Sequence, residues 1–132
     1  MPETVQNEEF QLYPSEAGLG NILINPDVIA RIAGMAAVEV EGVSLGSKFT
    51  LADFLPSKEP VKGITVTQDD AGNYSIVCEV KMVYRTPMRE TALKLQQHVK
   101  DTVERMASLE LKSVDVRIVD ILPEKKEREE ED

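Results

Sequence analysis

Apolar residues recur along the chain with two different periods, and the switches between them mark out six elements. Asn21-Ile22-Leu23-Ile24 is a short apolar run that predicts a strand. Asn25-Pro26-Asp27 then carries the start signals of a helix: a capping side chain, a proline suited to the first helical position and an acid that complements the dipole. Val28, Ile29, Ile32, Ala33, Met35, Ala36 and Val40 follow at steps of three and four, and Gly42 supplies a stop. Period two takes over at Ile64 and Val66, passes through turn chemistry at Asp69-Asp70-Ala71-Gly72-Asn73, and is clearest afterwards. There Tyr74, Ile76, Cys78, Val80, Met82 and Tyr84 share one face, opposite Ser75, Glu79, Lys81 and Arg85. Thr86-Pro87 repeats the cap-then-proline start, and Met88, Ala92, Leu95, Val99, Val103 (or Thr102) and Met106 trace a second helical stripe. A last strand alternates Val114, Val116 and Ile118 with Asp115 and Arg117, and its phase slips near Val119, where Ile121 takes over an even position.

The order strand, helix, strand, strand, helix, strand predicts an α+β fold. A single small domain would hold a mostly antiparallel sheet with two helices on one face, as in a split-βαβ plait. The alternative is a three-stranded sheet with a looser first strand. Residues 43–62 lose all period and are punctuated by Gly46, Ser47, Pro56, Ser57 and Pro60, with one helical turn expected after Thr50. Two of the three phenylalanines, Phe49 and Phe54, fall there beside Leu55, so the segment is more than a linker.

Composition places these elements in a globular chain of 132 residues, with 42% hydrophobic and 30% charged positions. The net charge of −9 is unevenly spread: residues 1–20 contribute −4 and residues 123–132 contribute −3, leaving −2 for residues 21–122. The two acidic ends read as disordered tails around a nearly neutral folded body, 21–122. An acidic chain is poorly suited to general nucleic-acid binding, which draws most of its affinity from Lys and Arg on phosphates. The longest apolar stretch, residues 32–38, is far short of the roughly 20 residues a transmembrane helix needs. The N-terminus has three acids and no base in its first ten residues, unlike a signal peptide, so a cytoplasmic location is expected.

Candidate chemistry is sparse. His98 sits beside the apolar stripe of the second helix and reads as a helix-flank residue before a proton shuttle. Cys78 lies on the apolar face of its strand, where a thiol is buried and inert. Asp69 and Asp70 read as turn formers. No catalytic, metal or cofactor residue is assigned, and no cofactor is expected. The remaining candidates are contact residues: Gly34, flanked by alanines on a small-sided helix that allows close docking, and Phe49, Phe54, Leu55, Lys58 and Lys62 in the aperiodic segment. For Gly34, packing on the chain's own sheet is the simpler expectation.

Three stretches together resemble a known family. Residues 19–37 (LGNILINPDVIARIAGMAA) are similar to G-x-I-x-I-x-P-E-V-I-x-x-I-A-G-x-A-A, and Glu39-Val40-Glu41-Gly42-Val43 continues as E-V-x-G-V. Lys62-Gly63-Ile64-Thr65-Val66 is similar to K-G-V-x-V. Val99 to Met106, then Leu109 and residues 114–119, resemble V-x-x-x-V-x-x-M-x-x-L followed by V-x-V-x-V-V. These are marks of the alkaline-shock/general-stress protein family, envelope stress response proteins mainly of Gram-positive bacteria. The resemblance covers about residues 19–122. It departs at Tyr84-Arg85-Thr86-Pro87-Met88-Arg89-Glu90, where the family has Y-G-x-x-I-P-E, and across the middle loop, residues 44–60.

The resemblance implies a non-enzymatic cytoplasmic protein of cell-envelope homeostasis that self-associates as a homo-oligomer. Its expected protein partner is a membrane anchor protein, which would hold it peripherally at the membrane without direct insertion, or an enzyme of fatty-acid synthesis that it regulates. RNA binding through the sheet is the third and weakest expectation, because the aromatic face is the one the helices should cover.

Overall fold

The computed structural model describes residues 11–14, 18–45 and 63–124, and its core is a sheet built around one long strand. That strand, β5 (Tyr74–Val83), is preceded by β1 (Gln11–Pro14), β2 (Asn21–Ile24), helix α1 (Pro26–Val38), β3 (Val43–Ser44) and β4 (Ile64–Gln68). It is followed by helix α2 (Met88–Ala107) and β6 (Leu111–Leu122).

Along β5 the period-two prediction holds from Tyr74 to Met82, with Tyr74, Ile76, Cys78, Val80 and Met82 all buried on one face. Tyr84 is the exception: the strand ends at Val83, the next residues turn, and Tyr84 stands 56% exposed. β4 pairs antiparallel with β5 from Ile64↔Cys78 to Gln68↔Tyr74. Asp69 organises the connecting turn by accepting from the N–H groups of Ala71 (3.0 Å) and Asn73 (2.9 Å). The Asn73 bond is the main reason its carboxyl is held below the ordinary value. β3, in the stretch expected to be aperiodic, continues the same edge of β5 by pairing Val43 with Met82 and Ser44 with Lys81.

The other edge of β5 is taken by β6, which runs parallel to it. The 20-residue helix between them supplies the crossover that a parallel pair requires. Ile118 lies opposite Val80 but Asp120 lies opposite Lys81, so Val119 is the extra residue of a bulge. This is the phase slip expected there. A second shift, between Tyr74 and Ser75, leaves Lys112 extra.

The strand Asn21–Ile24 is not a member of this four-stranded sheet. It pairs antiparallel with Gln11–Pro14 in a separate two-stranded ribbon, while β3 supplies the fourth strand of the main sheet, so the three-stranded alternative is not the arrangement adopted either. This also corrects the reading of residues 1–20 as a disordered tail, because positions 11–14 form a strand. Their partner lies beyond Gly18 and Gly20, both at positive φ, a pairing that local composition does not reveal. The expected helical turn after Thr50 lies outside the described residues.

Both helices cover the same face of the sheet. In α1 the Asn25 side chain accepts from the Asp27 N–H at 2.8 Å, as the start signal predicts. Ile29, Ala33, Ala36 and Ala37 are buried, whereas Val28 and Met35 are 44% and 48% exposed. Those two lie roughly a third of a turn away from the Ile29–Ala33 axis. The helix closes at Val38, ahead of Gly42, because Glu39 and Val40 bond back only three residues, to Ala36 and Ala37. In α2 the buried line is Thr91, Leu95, Val99, Val103 and Ala107, a strict repeat of four. Met88 and Met106, expected on that stripe, are 38% and 64% exposed. Nor does Thr86 cap the helix: Pro87 is itself the N-cap and no side chain caps it.

Candidate functional site

The chain turns twice at the same end of the sheet, once after α1 and once before α2, and an open cleft of about 850 Å³ lies between the two turns. Glu39 to Gly42 form one wall, Tyr84 to Pro87 close the end, and the first three turns of α2 form the other wall. Gly42, at φ +91°, brings the turns together: a Cβ there would sit 2.8 Å from the Thr86 Oγ1. Any side chain at position 42 would therefore push the walls apart.

Charge is dense here and largely cross-linked. His98 Nε2 meets Glu39 Oε1 at 2.7 Å, a contact that ties α2 to the end of α1 and becomes an ion pair when the imidazole is protonated. Arg85 Nε lies 3.6 Å from Glu124 Oε1, while its guanidinium stacks 5.2 Å above the Tyr84 ring. Arg85 holds this position at φ +82°, in the left-handed region. Glu41, Glu90 and Lys94 complete the polar lining, and Thr91, only 6% exposed, lies at the floor. The cleft thus offers a planar aromatic–guanidinium stack, carboxylates in slight excess and a solvent-open mouth. This combination suits a peptide segment of another protein better than an enclosed small molecule.

The sequence candidates fall elsewhere. Gly34 is buried in α1, so it is not exposed as a docking surface among the described residues. Phe49, Phe54, Leu55, Lys58 and Lys62 lie outside the described residues. The cleft residues were missed because Glu39 and His98 are 59 positions apart. The one available signal was the departure of residues 84–90 from the family pattern, which coincides with the cleft's closed end.

Cys78 is fully buried, and burial pushes its thiol up to about 12. We expect it to resist a water-soluble disulfide reagent in the native protein and to react with one equivalent once the chain is unfolded in denaturant. Native labelling as fast as in the unfolded chain would show that the central strand is not covered. Among the described residues no group of three or more His, Cys, Asp or Glu could hold a metal ion, and no helix is long and apolar enough to cross a membrane.

Fold and cleft together define a small α+β domain with one helix-covered sheet face and a charged surface cleft. Residues 14–123 match the ASP23 family, described as having a cell envelope-related function, and the chain belongs to this family. It is similar to the uncharacterized protein Spy1535 of Streptococcus pyogenes, 27% identical over 107 residues covering 81% of this chain and 83% of that protein. It is also similar to the uncharacterized protein YqhY of Bacillus subtilis, 29% identical over 119 residues covering 87% of each. No solved structure matches it significantly.

Proposed function

We propose that this chain is a non-catalytic, cytoplasmic protein of cell-envelope homeostasis that works through contacts with a protein partner and with copies of itself. The family's envelope-related role supports the setting. The observation that carries the contact role is the cleft, where the Tyr84–Arg85 stack is exposed beside paired and unpaired carboxylates. Tyr and Arg are the residue types that dominate binding energy at protein interfaces. The partner that fits an envelope role is a membrane anchor protein, which would place this chain peripherally at the membrane.

The test is affinity capture of the tagged full chain from its own cells, with Tyr84→Ala and Arg85→Glu run alongside. One envelope-anchored protein should be recovered by the unmodified chain, and each variant should lower its affinity by about thirtyfold, the size of a ~2 kcal/mol hot-spot loss. Cleft-dependent recovery of a fatty-acid synthesis enzyme would reassign the partner. Recovery unaffected by both variants would remove the cleft from the function.

A further inference from the structure

β6 is the outermost strand on its side of the sheet among the described residues, and its backbone polar groups are only partly provided for. The Leu111 N–H donates to Glu104 Oε2 at 2.8 Å, and the Val114 C=O accepts from Gln96 Nε2 at 3.0 Å. Both contacts come from side chains of α2, so core-facing residues of β6 aim their N–H and C=O groups away from β5. By the same alternation, Val116 and Ile118 aim theirs outward, and no side chain meets them among the described residues. Their side chains are only half-buried, although they belong to the helix-covered face. An exposed strand edge of this kind is a template for another strand.

We infer that the occupant is the β6 strand of a second copy, paired antiparallel about a twofold axis at Val116, with Val114 opposite the second copy's Ile118. This rests on the self-association in the reading above and names its surface. In that register Val116 faces its own equivalent as a hydrogen-bonded pair, matching the outward direction of its N–H and C=O. Asp115 then lies directly opposite Arg117 of the other copy, twice, on the open face of a continuous sheet. Asp115 has no ion-pair partner among the described residues. Arg117 holds Glu79 at 3.2 Å through one guanidinium nitrogen and keeps further donors free. The sequence Val114-Asp115-Val116-Arg117-Ile118 is thus complementary to itself in both charge and apolar character, as an isologous interface requires. The bulges at Lys112 and Val119 bound the regular stretch and limit pairing to these five residues. The Val114 oxygen can keep its Gln96 bond, since a carbonyl has two lone pairs. Leu93, 53% exposed in the groove between α2 and β6, lies on the same flank and would be covered in the pair.

The full chain should sediment as a dimer in analytical ultracentrifugation. Asp115→Arg and Arg117→Asp each turn both cross-pairs into like charges and should weaken the dimer by about tenfold or more. Circular dichroism melts would establish that each variant stays folded. Mixing the two variants one to one sets a β6 with bases at both positions opposite a β6 with acids at both, so a heterodimer should return. The doubly swapped chain should regain its homodimer. A dimer indifferent to both single swaps would overturn the β6 interface while leaving self-association by another surface intact. A strict monomer for the unmodified chain would overturn both.

Discussion

Replacing Ile76 by Ala should lower the unfolding free energy by about 3–5 kcal/mol. Ile76 is fully buried on β5, the strand at the centre of the sheet, with Val66 of β4 on one side and Val114 of β6 on the other. The truncation removes the transfer energy of three carbons and leaves a cavity between a sheet and two helices, neither of which can collapse easily. Domains of this size are stable by about 5–15 kcal/mol in total, so the loss is a large part of it. Urea unfolding followed by circular dichroism reads the effect as a fall in midpoint at constant slope. A change under about 1 kcal/mol would mean that the centre of the sheet is not the centre of the core.

Gly63→Ala should cost about 2 kcal/mol or more without removing any apolar group. Gly63 sits at φ +82°, and a Cβ built there would lie 2.7 Å from the backbone oxygen of Glu79. That approach is fixed from both sides, because the Gly63 C=O accepts from the Glu79 N–H at 2.7 Å. Left-handed backbone costs an alanine roughly 1–2 kcal/mol, and the collision with a strand backbone adds to it, since neither atom is the end of a flexible chain. Gly72→Ala provides the comparison: its φ is +92°, but the nearest atom is 3.9 Å away, so only the conformational term of about 1 kcal/mol remains. Equal losses at the two glycines, measured by the same urea titration, would show that the β4–β5 approach is loose.

What the chain discloses about itself follows the range of the interactions. The face of β5, the Asp69 turn, the Asn25 cap and the slip at Val119 are all set by neighbours within a few positions, and each was legible. The α2 stripe was harder. Steps of three and of four both fit its apolar residues, and the true line runs through Thr91, a polar residue that hydropathy leaves out, while passing by Met88 and Met106. The β1–β2 pairing and the Glu39–His98 contact join segments whose proximity only the folded chain creates. The cleft was invisible for that reason, whereas the envelope role came from resemblance and from no residue's chemistry.

The small side chains of α1 have a consequence for the protein's synthesis. This helix precedes in the chain the elements that pack on it, α2 and β3 to β5, so they are synthesised after it. At about 5–20 residues per second its apolar stripe waits on the order of ten seconds for them. Its fully buried line of Ile29, Ala33, Ala36 and Ala37 presents less apolar surface in that interval than a line of larger side chains would, with Ile32 and Val38 adding to it at the flanks. The bulk of the core resides in β5, α2 and β6, which emerge consecutively and can close on one another at once. The division of large and small side chains between late and early segments thus limits premature association while the chain is still being made.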